Sequence, residues 1–243
     1  MPRRFERKFI VLPQKVSFAY ALLRQVCRPD SQYPCDQVNT LYFDTADLEQ
    51  YVKSASGDFE REKVRIRWYG EYGALEGMTP VYVELKSRQG FASAKQRCGL
   101  EVAVESLEPV RLGAGIVERT TLVDTLAGYG YFPQQPLWPV IAVSYQRYRF
   151  TEMTTGMRVS LDCRIRSSAV FPGLGHGERR LPLPNGIVEV KGPSMEIPPA
   201  LRRLRLLDTD WSRFSKYACC VESQISEPGT VGRLWPSGRM PEL

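Results

Sequence analysis

Three basic residues alternate with apolar ones in the segment KVRIRWYG, which covers residues 63–70. Lys63, Arg65 and Arg67 share one parity, and the residues between them are apolar. Because successive side chains of a β-strand point to opposite faces, these cations form one row. A row of Arg and Lys is suited to phosphate oxygens, which Arg binds through a planar fork of donors. For a single strand, a solvent-exposed outer face is the alternative explanation.

Five further segments show the same alternation, with mostly charged residues at every second position. Each segment has apolar residues on one parity and basic residues, most often mixed with Glu or Asp, on the other. The polar positions are Arg4, Glu6 and Lys8; Tyr82, Glu84, Lys86 and Arg88; Tyr145, Arg147 and Arg149; Arg158, Ser160, Asp162, Arg164 and Arg166; and Glu189 and Lys191. Few neutral polar residues separate these charges, which favours an interior lining over an exposed face. Since unpaired charge is costly in a dry core, the interior is expected to hold water, a polyanion or a metal.

Strand patterns dominate the chain, and we expect about eight strands. The predicted strands are residues 4–12, 38–44, 63–69, 81–87, 100–104, 140–151, 157–165 and 187–191. Helices are predicted over residues 15–27, 117–126, 198–207 and 213–221. This order predicts an α+β fold in which an antiparallel eight-stranded sheet closes into a β-barrel, with helices packed outside. One domain is expected over residues 1–226, with an irregular tail over 227–243.

Composition narrows the function classes. A net charge of +6 and a pI near 9.0 suit an anionic partner without naming it. Six cysteines without a CxxC pair, and a single histidine, His176, argue against a zinc site and against a Ser-His-Asp triad. The sequence contains no P-loop and no dinucleotide-binding glycine motif in the right context. It has no apolar run long enough for a membrane helix and no signal-peptide core, so a cytoplasmic location is expected.

Seven motifs together resemble a known family. The segments FERKFIVL, TLYFDT, KVRIRWYG, VYVELKSR, SYQRYRF, IVEVKG and FSKY occur in this order between residues 4 and 217. They are similar to the VTC domain, the catalytic module of polyphosphate polymerases, which belongs to the CYTH-like triphosphate tunnel metalloenzymes. The resemblance implies an eight-stranded antiparallel tunnel that grips a triphosphate or polyphosphate. It also implies a divalent metal, Mn²⁺ or Mg²⁺, held by glutamate.

The resemblance also implies roles for individual residues. The residues predicted to be catalytic are Arg65, Arg67, Arg147, Lys191 and Lys216. The predicted substrate-binding residues are Lys8, Arg65, Arg67, Lys86, Arg147, Arg149, Arg164, Lys191, Arg213 and Lys216. The predicted metal ligands are Glu189, Glu6 and Glu84. For Glu6 and Glu84, a lateral salt bridge that orients neighbouring arginines is the alternative.

Some positions depart from the family pattern. Arg4 replaces the first glutamate of the cyclase-like branch, which favours the VTC branch. Arg213 stands where the family often has Lys, and residues 218–220 replace a common His-Gly pair.

The resemblance predicts a polymerase that transfers the γ-phosphate of ATP to polyphosphate. The alternatives are an inorganic triphosphatase or polyphosphate hydrolase of the same fold, a non-catalytic polyphosphate-binding module, and a basic nucleic-acid binder. The expected partners are ATP, triphosphate or polyphosphate. No nucleic acid and no membrane segment are expected, and the sequence makes no prediction of the oligomeric state.

Overall fold

The computed structural model describes residues 5–90, 92–172, 174, 181–182, 186–193, 196–207 and 214–225. In these ranges the strands are β1 (Phe5–Val11), β2 (Cys27–Pro29), β3 (Cys35–Asp44), β4 (Glu60–Tyr69), β5 (Met78–Gln89), β6 (Ala92–Ala103), β7 (Trp138–Glu152), β8 (Arg158–Ala169), β9 (Leu181–Pro182) and β10 (Gly186–Gly192). The α-helices are α1 (Val16–Val26), α2 (Glu49–Ser56), α3 (Arg119–Gly128) and α4 (Lys216–Ile225). A nine-residue 3-10 helix covers Pro199–Leu207.

All the described strands belong to one antiparallel sheet. The strand order is β1-β10-β8-β7-β3-β4-β5-β6, while β2 pairs with β7 and β9 pairs with β8. The predicted α+β fold, with a large antiparallel sheet and several helices, is confirmed.

The pairing register places most of the charged side chains of these strands on one face of the sheet, which we call the inner face. In β4 and β5, Arg65 lies opposite Glu84. In β1 and β10, Lys8 lies opposite Glu189. Strands β1 and β5 are far apart in the strand order, yet Glu6 Oε2 on β1 lies 3.5 Å from Lys86 Nζ on β5. This short distance shows that the sheet curls strongly. The inner face therefore lines a concave channel.

The opposite, apolar parity is buried beneath helices. One core cluster joins Leu22 and Leu23 of α1 and Leu201 of the 3-10 helix to Leu161 of β8 and Val188 of β10. Another joins α3 to the outer faces of β3, β4 and β5. Each such apolar side chain contributes about 1.5–3 kcal/mol when it is fully buried. This burial fixes which face points inward, because a slip of one residue would reverse it.

Closure of the sheet into the predicted barrel is not confirmed in the described part of the chain. Strands β1 and β6 end the strand order, and no ladder joins them in the described part of the chain. The ion pair between Glu6 of β1, at one end of the strand order, and Lys86 of β5, the neighbour of the other end strand, spans the channel instead.

Helix α4 packs on the inner face, whereas all helices were predicted to lie outside. The Tyr217 ring stacks on Tyr42 with 4.8 Å between centroids, and its hydroxyl donates to Asp44 Oδ2 at 2.5 Å. Cys220 and Val221 are buried in the same cluster. The physical reason is that part of the inner face is apolar. One end of the channel is therefore filled by α4, and the charged residues occupy the rest.

A bulge in β8 ends its charged face earlier than predicted. The register between β7 and β8 shifts between Ser144 and Gln146. Arg164 lies here with φ +53° and is exposed, and Ile165, next in the chain, is buried. Since one extra residue reverses the alternation, the predicted shared face ends at Asp162, and Arg164 and Arg166 point away from it.

Other differences are local. The structure contains α2, β2 and β9, which were not predicted, and β6 begins at Ala92 rather than at residue 100. The predicted helix over residues 198–207 is a 3-10 helix. His176 and the predicted tail, residues 227–243, lie outside the described residues. None of the described helices has the length and apolarity needed to cross a membrane.

Candidate functional site

A fully buried carboxylate, that of Glu84, lies among four basic side chains. Arg65 contacts its Oε2 through Nε at 2.8 Å and Nη2 at 2.7 Å, and Arg67 Nη1 lies 3.9 Å away. Lys95 pairs with Oε1, and Arg97 Nε lies 3.6 Å from it. Burial alone would raise the pKa of Glu84, but Arg65, Arg67 and Lys95 lower it to about 2. Glu84 is therefore ionised at neutral pH and helps to fix the orientation of Arg65 and Arg67 on β4.

Asp162 forms a second such cluster on β8. Arg147 donates to both its oxygens, from Nε at 2.6 Å and from Nη2 at 2.7 Å, and Lys216 Nζ lies 2.5 Å from Oδ2. Burial opposes ionisation, but Arg147 and Lys216 lower the pKa of Asp162 to about 2. Arg147 Nη2 also lies 3.5 Å from Glu189 Oε2. This cluster links β7, β8, β10 and the first residue of α4.

Two carboxyl groups, those of Glu6 and Glu189, lie between β1 and β10, and both are within 4 Å of Lys191 Nζ. Lys8 Nζ lies 3.0 Å from Glu6, Lys86 Nζ 3.5 Å from Glu6, and Lys191 Nζ 3.3 Å from Glu189. Burial raises the pKa of Glu189, but Lys191 and the other groups around it hold the value well below its usual range. Two adjacent carboxylates are stable here because lysines surround them.

The donor set at Glu6 and Glu189 fits a hard divalent cation. The described residues contain no group of three or more His, Cys, Asp or Glu side chains suited to a metal. Mg²⁺, however, is commonly bound by one or two carboxylates together with substrate phosphates and water. Glu84, the third predicted ligand, lies instead among the cations that it orients, in line with the salt-bridge alternative.

The start of α4 is attached to the inner face by two lysines. Lys8 Nζ donates to the Phe214 carbonyl at 2.9 Å, and Lys63 Nζ donates to Ser215 Oγ at 2.8 Å. Ser215 Oγ also accepts from the Ala218 amide at 3.2 Å. The Lys63 side chain belongs to the same row as Arg65 and Arg67 and is half-buried in the channel. Burial and the neighbouring Lys8 lower its pKa well below the usual value.

Two predicted substrate-binding residues lie apart from these clusters, and a third falls outside the described part of the chain. Arg149 pairs with Asp36 and donates to the Tyr33 carbonyl at 3.1 Å, near one end of the inner face. Arg164 is exposed at the bulge, so the structure does not bring it to the site. Arg213 lies outside the described residues.

Lys95 and Arg97 were missed from the sequence, although both contact Glu84. They belong to β6, whose start was predicted too late in the chain. A signal was present at Gly90, where the chain turns with φ +55° and Gln89 pairs with Ala92. A hairpin placed there sets Arg97 opposite Glu84.

Tyrosine side chains restrict the arginines further. Arg65 Nη1 lies 3.4 Å from the Tyr42 hydroxyl, and Arg67 Nη2 lies 3.5 Å from the Tyr145 hydroxyl. Because carboxylates and hydroxyls hold them, these guanidinium groups are oriented before any ligand binds.

Comparisons with known proteins identify the family. The VTC domain matches residues 3–225, while no curated protein matches the sequence. A putative adenylate cyclase from Bacillus halodurans is 16% identical over 88% of this chain and 95% of that one, with a TM-score of 0.52. A putative adenylyl cyclase from Hippeastrum, which has a dominant triphosphatase activity, is 16% identical over 93% of this chain and 98% of that one, with a TM-score of 0.46. The Bacillus structure shows the shared fold, and the family match covers most of the sequence. The chain belongs to the VTC domain family.

Proposed function

We propose that the protein is a metal-dependent polyphosphate polymerase that transfers the γ-phosphate of ATP to a polyphosphate chain bound on the inner face. The observation that supports this most strongly is the surplus of oriented cations there. The inner-face cations are Lys8, Lys63, Arg65, Arg67, Lys86, Lys95, Arg97, Arg147, Arg149, Lys191 and Lys216. The carboxylates paired with them are Glu6, Asp36, Glu84, Asp162 and Glu189.

Phosphoryl transfer requires mainly positioning and charge neutralisation from the protein. Arg65, Arg67 and Arg147 would clamp phosphate oxygens, because each is held by a carboxylate and keeps further N–H donors available. Lys191 and Lys216 would contact the phosphates near the reacting end. These residues lie on β4, β7, β10 and α4, and together they would hold the donor and acceptor phosphates, as chain extension requires.

Glu6 and Glu189 would hold the divalent cation, Mn²⁺ or Mg²⁺. When bound, the divalent cation would neutralise the negative charge of the phosphate oxygens more strongly than a lysine does. Lys8, Lys86 and Lys191, which now pair with these carboxylates, would then turn to phosphate oxygens.

The test is product analysis after incubation with ATP and Mn²⁺. Accumulation of ADP and polyphosphate supports the polymerase. Release of orthophosphate from inorganic triphosphate supports a hydrolase of the same fold, and tight polyphosphate binding without turnover supports a binding module. Arg203→Gln, which removes an exposed positive charge outside the channel, should retain full activity in the same assay.

Triphosphate binding should weaken as the pH rises from 7 to 9. Burial lowers the pKa of Lys86 and of Lys95 to about 8 in each case, so both lose their charge in this range. Lys95 faces Glu84, Arg65 and Arg67, and a bound anion would favour its charged form. Calorimetry in two buffers of different ionisation enthalpy should therefore detect proton uptake on binding near pH 8.5.

The control for this pH dependence is Lys95→Arg, which keeps its charge throughout the range. This variant should retain more affinity at pH 9 than the wild type does. An identical decline in both proteins would show that Lys95 does not contact the anion.

A further inference from the structure

A second group of arginines lies on the other side of β1. Arg7 occupies the same strand as Glu6 and Lys8 but has the opposite parity, which it shares with the buried Phe9. It therefore points away from the channel, towards the helices that cover the outer face. A cation at this position interrupts an otherwise apolar parity and calls for an explanation.

One N–H donor of Arg7 is buried without a hydrogen-bond acceptor. Its Nε is buried and makes no hydrogen bond. Among the residues that the structure describes, neither Arg7 nor the nearby Arg202 and Arg205 forms an ion pair. A buried charged donor without an acceptor is destabilising, whereas an anion bound beside it would remove that cost.

These three arginines line one cavity, which we call the outer cavity. It has a volume of about 440 Å³ and is lined by Arg7, Arg202, Arg205, Glu196 and Ile197. Arg202 and Arg205 are three residues apart on the 3-10 helix Pro199–Leu207, so they lie on the same side of it. Three guanidinium groups against one carboxylate leave the lining positive.

The volume accommodates more than a single small ion, since a water molecule occupies only about 30 Å³ in the liquid. Guanidinium groups bind phosphate oxygens through paired N–H donors, and several arginines around one cavity suit a ligand with more than one phosphate. The 3-10 helix supplies two of the three, so the site depends on its packing against β1.

We propose that the outer cavity is a second anion site, separate from the channel, that binds the phosphate groups of a condensed phosphate. It is separated from the inner face by β1, whose Glu6 and Lys8 face the other way. The site stands whether or not the channel catalyses chain extension, because binding there uses none of the inner-face residues.

Calorimetric titration of the full chain with inorganic triphosphate tests this proposal. The wild type should bind two equivalents. Arg202→Gln/Arg205→Gln should weaken the outer site by about tenfold or more, because it removes two charge-assisted donors, and should leave the channel site unchanged. Arg65→Ala/Arg67→Ala should show the reverse, with only the outer site kept. Arg203→Gln, on the same helix but outside the cavity lining, should still bind two equivalents.

Two results would overturn the site. One is a single equivalent in the wild type that disappears in the channel variant alone. The other is an equal loss in Arg203→Gln and in the double variant, which would show general attraction to surface charge. A thermal unfolding curve for each variant confirms that it is folded.

Titration with long-chain polyphosphate shows whether the ligand of the outer cavity is part of a polyphosphate chain or a separate small phosphate compound. If one chain fills both sites of a molecule, polyphosphate should bind with one equivalent where triphosphate binds with two. If polyphosphate leaves the outer cavity accessible to added triphosphate, the ligand is a separate small phosphate compound. Both results require the site to exist.

Discussion

Replacing Glu84 with glutamine should lower the free energy of unfolding by about 3–5 kcal/mol, the usual cost of breaking a buried ion pair by removing one partner. The Glu84 side chain is fully buried, and Arg65, Arg67, Lys95 and Arg97 all lie within 4 Å of its carboxylate oxygens. Glutamine keeps the size of the side chain but removes the charge, so the four cations repel one another without compensation. Denaturant unfolding followed by circular dichroism measures the change.

Glu101→Gln provides the matched control for this prediction. Glu101 is an exposed glutamate on β6, so the same change in charge should alter the free energy of unfolding by less than about 0.5 kcal/mol. Equal effects of the two substitutions would mean that Glu84 does not organise the arginines.

Replacing Glu189 with glutamine should reduce metal-dependent turnover by about 100-fold or more, since metal catalysis contributes several kcal/mol to transition-state stabilisation. The same variant should bind Mn²⁺ more weakly in the absence of nucleotide, which electron paramagnetic resonance measures directly. Glu189 is the carboxylate that meets Glu6, and together they form the pair suited to the cation.

Comparison with Glu84→Gln separates the two kinds of carboxylate. Glu84→Gln should retain Mn²⁺ binding, because this carboxylate lies among arginines and lysines rather than beside Glu6 and Glu189. Unchanged Mn²⁺ binding by Glu189→Gln, or a loss confined to Glu84→Gln, would reverse the assignment.

Alternation along single strands predicted most of the inner face. Arg65 and Arg67 on β4, and Glu84 on β5, were placed correctly because their apolar neighbours must pack beneath helices. The same rule failed at Arg164, since a bulge reverses parity and nothing in the local pattern marks its position. It also missed Arg97, because the start of β6 is polar and short of β-branched residues.

Relations between distant elements were harder to predict. Periodicity indicates that residues 213–221 form a helix, but it does not say which face of the sheet the helix covers. The placement of α4 depends on contacts such as that of Tyr217 with Tyr42, which are distant in sequence. Alternation likewise predicts faces but not whether the end strands pair, so it could not distinguish a closed barrel from a curled sheet joined by Glu6 and Lys86.

Binding of inorganic triphosphate decides whether Arg65 and Arg67 form a phosphate site in the channel. We expect Arg65→Ala/Arg67→Ala to lower affinity at the channel site by about 100-fold or more, because several charge-assisted hydrogen bonds are lost. Lys86→Gln/Lys191→Gln, whose side chains are 32% and 41% exposed, should also weaken binding, and a thermal unfolding curve shows that the variant is folded. Triphosphate binding at wild-type affinity in both folded variants would rule out the channel as the phosphate site.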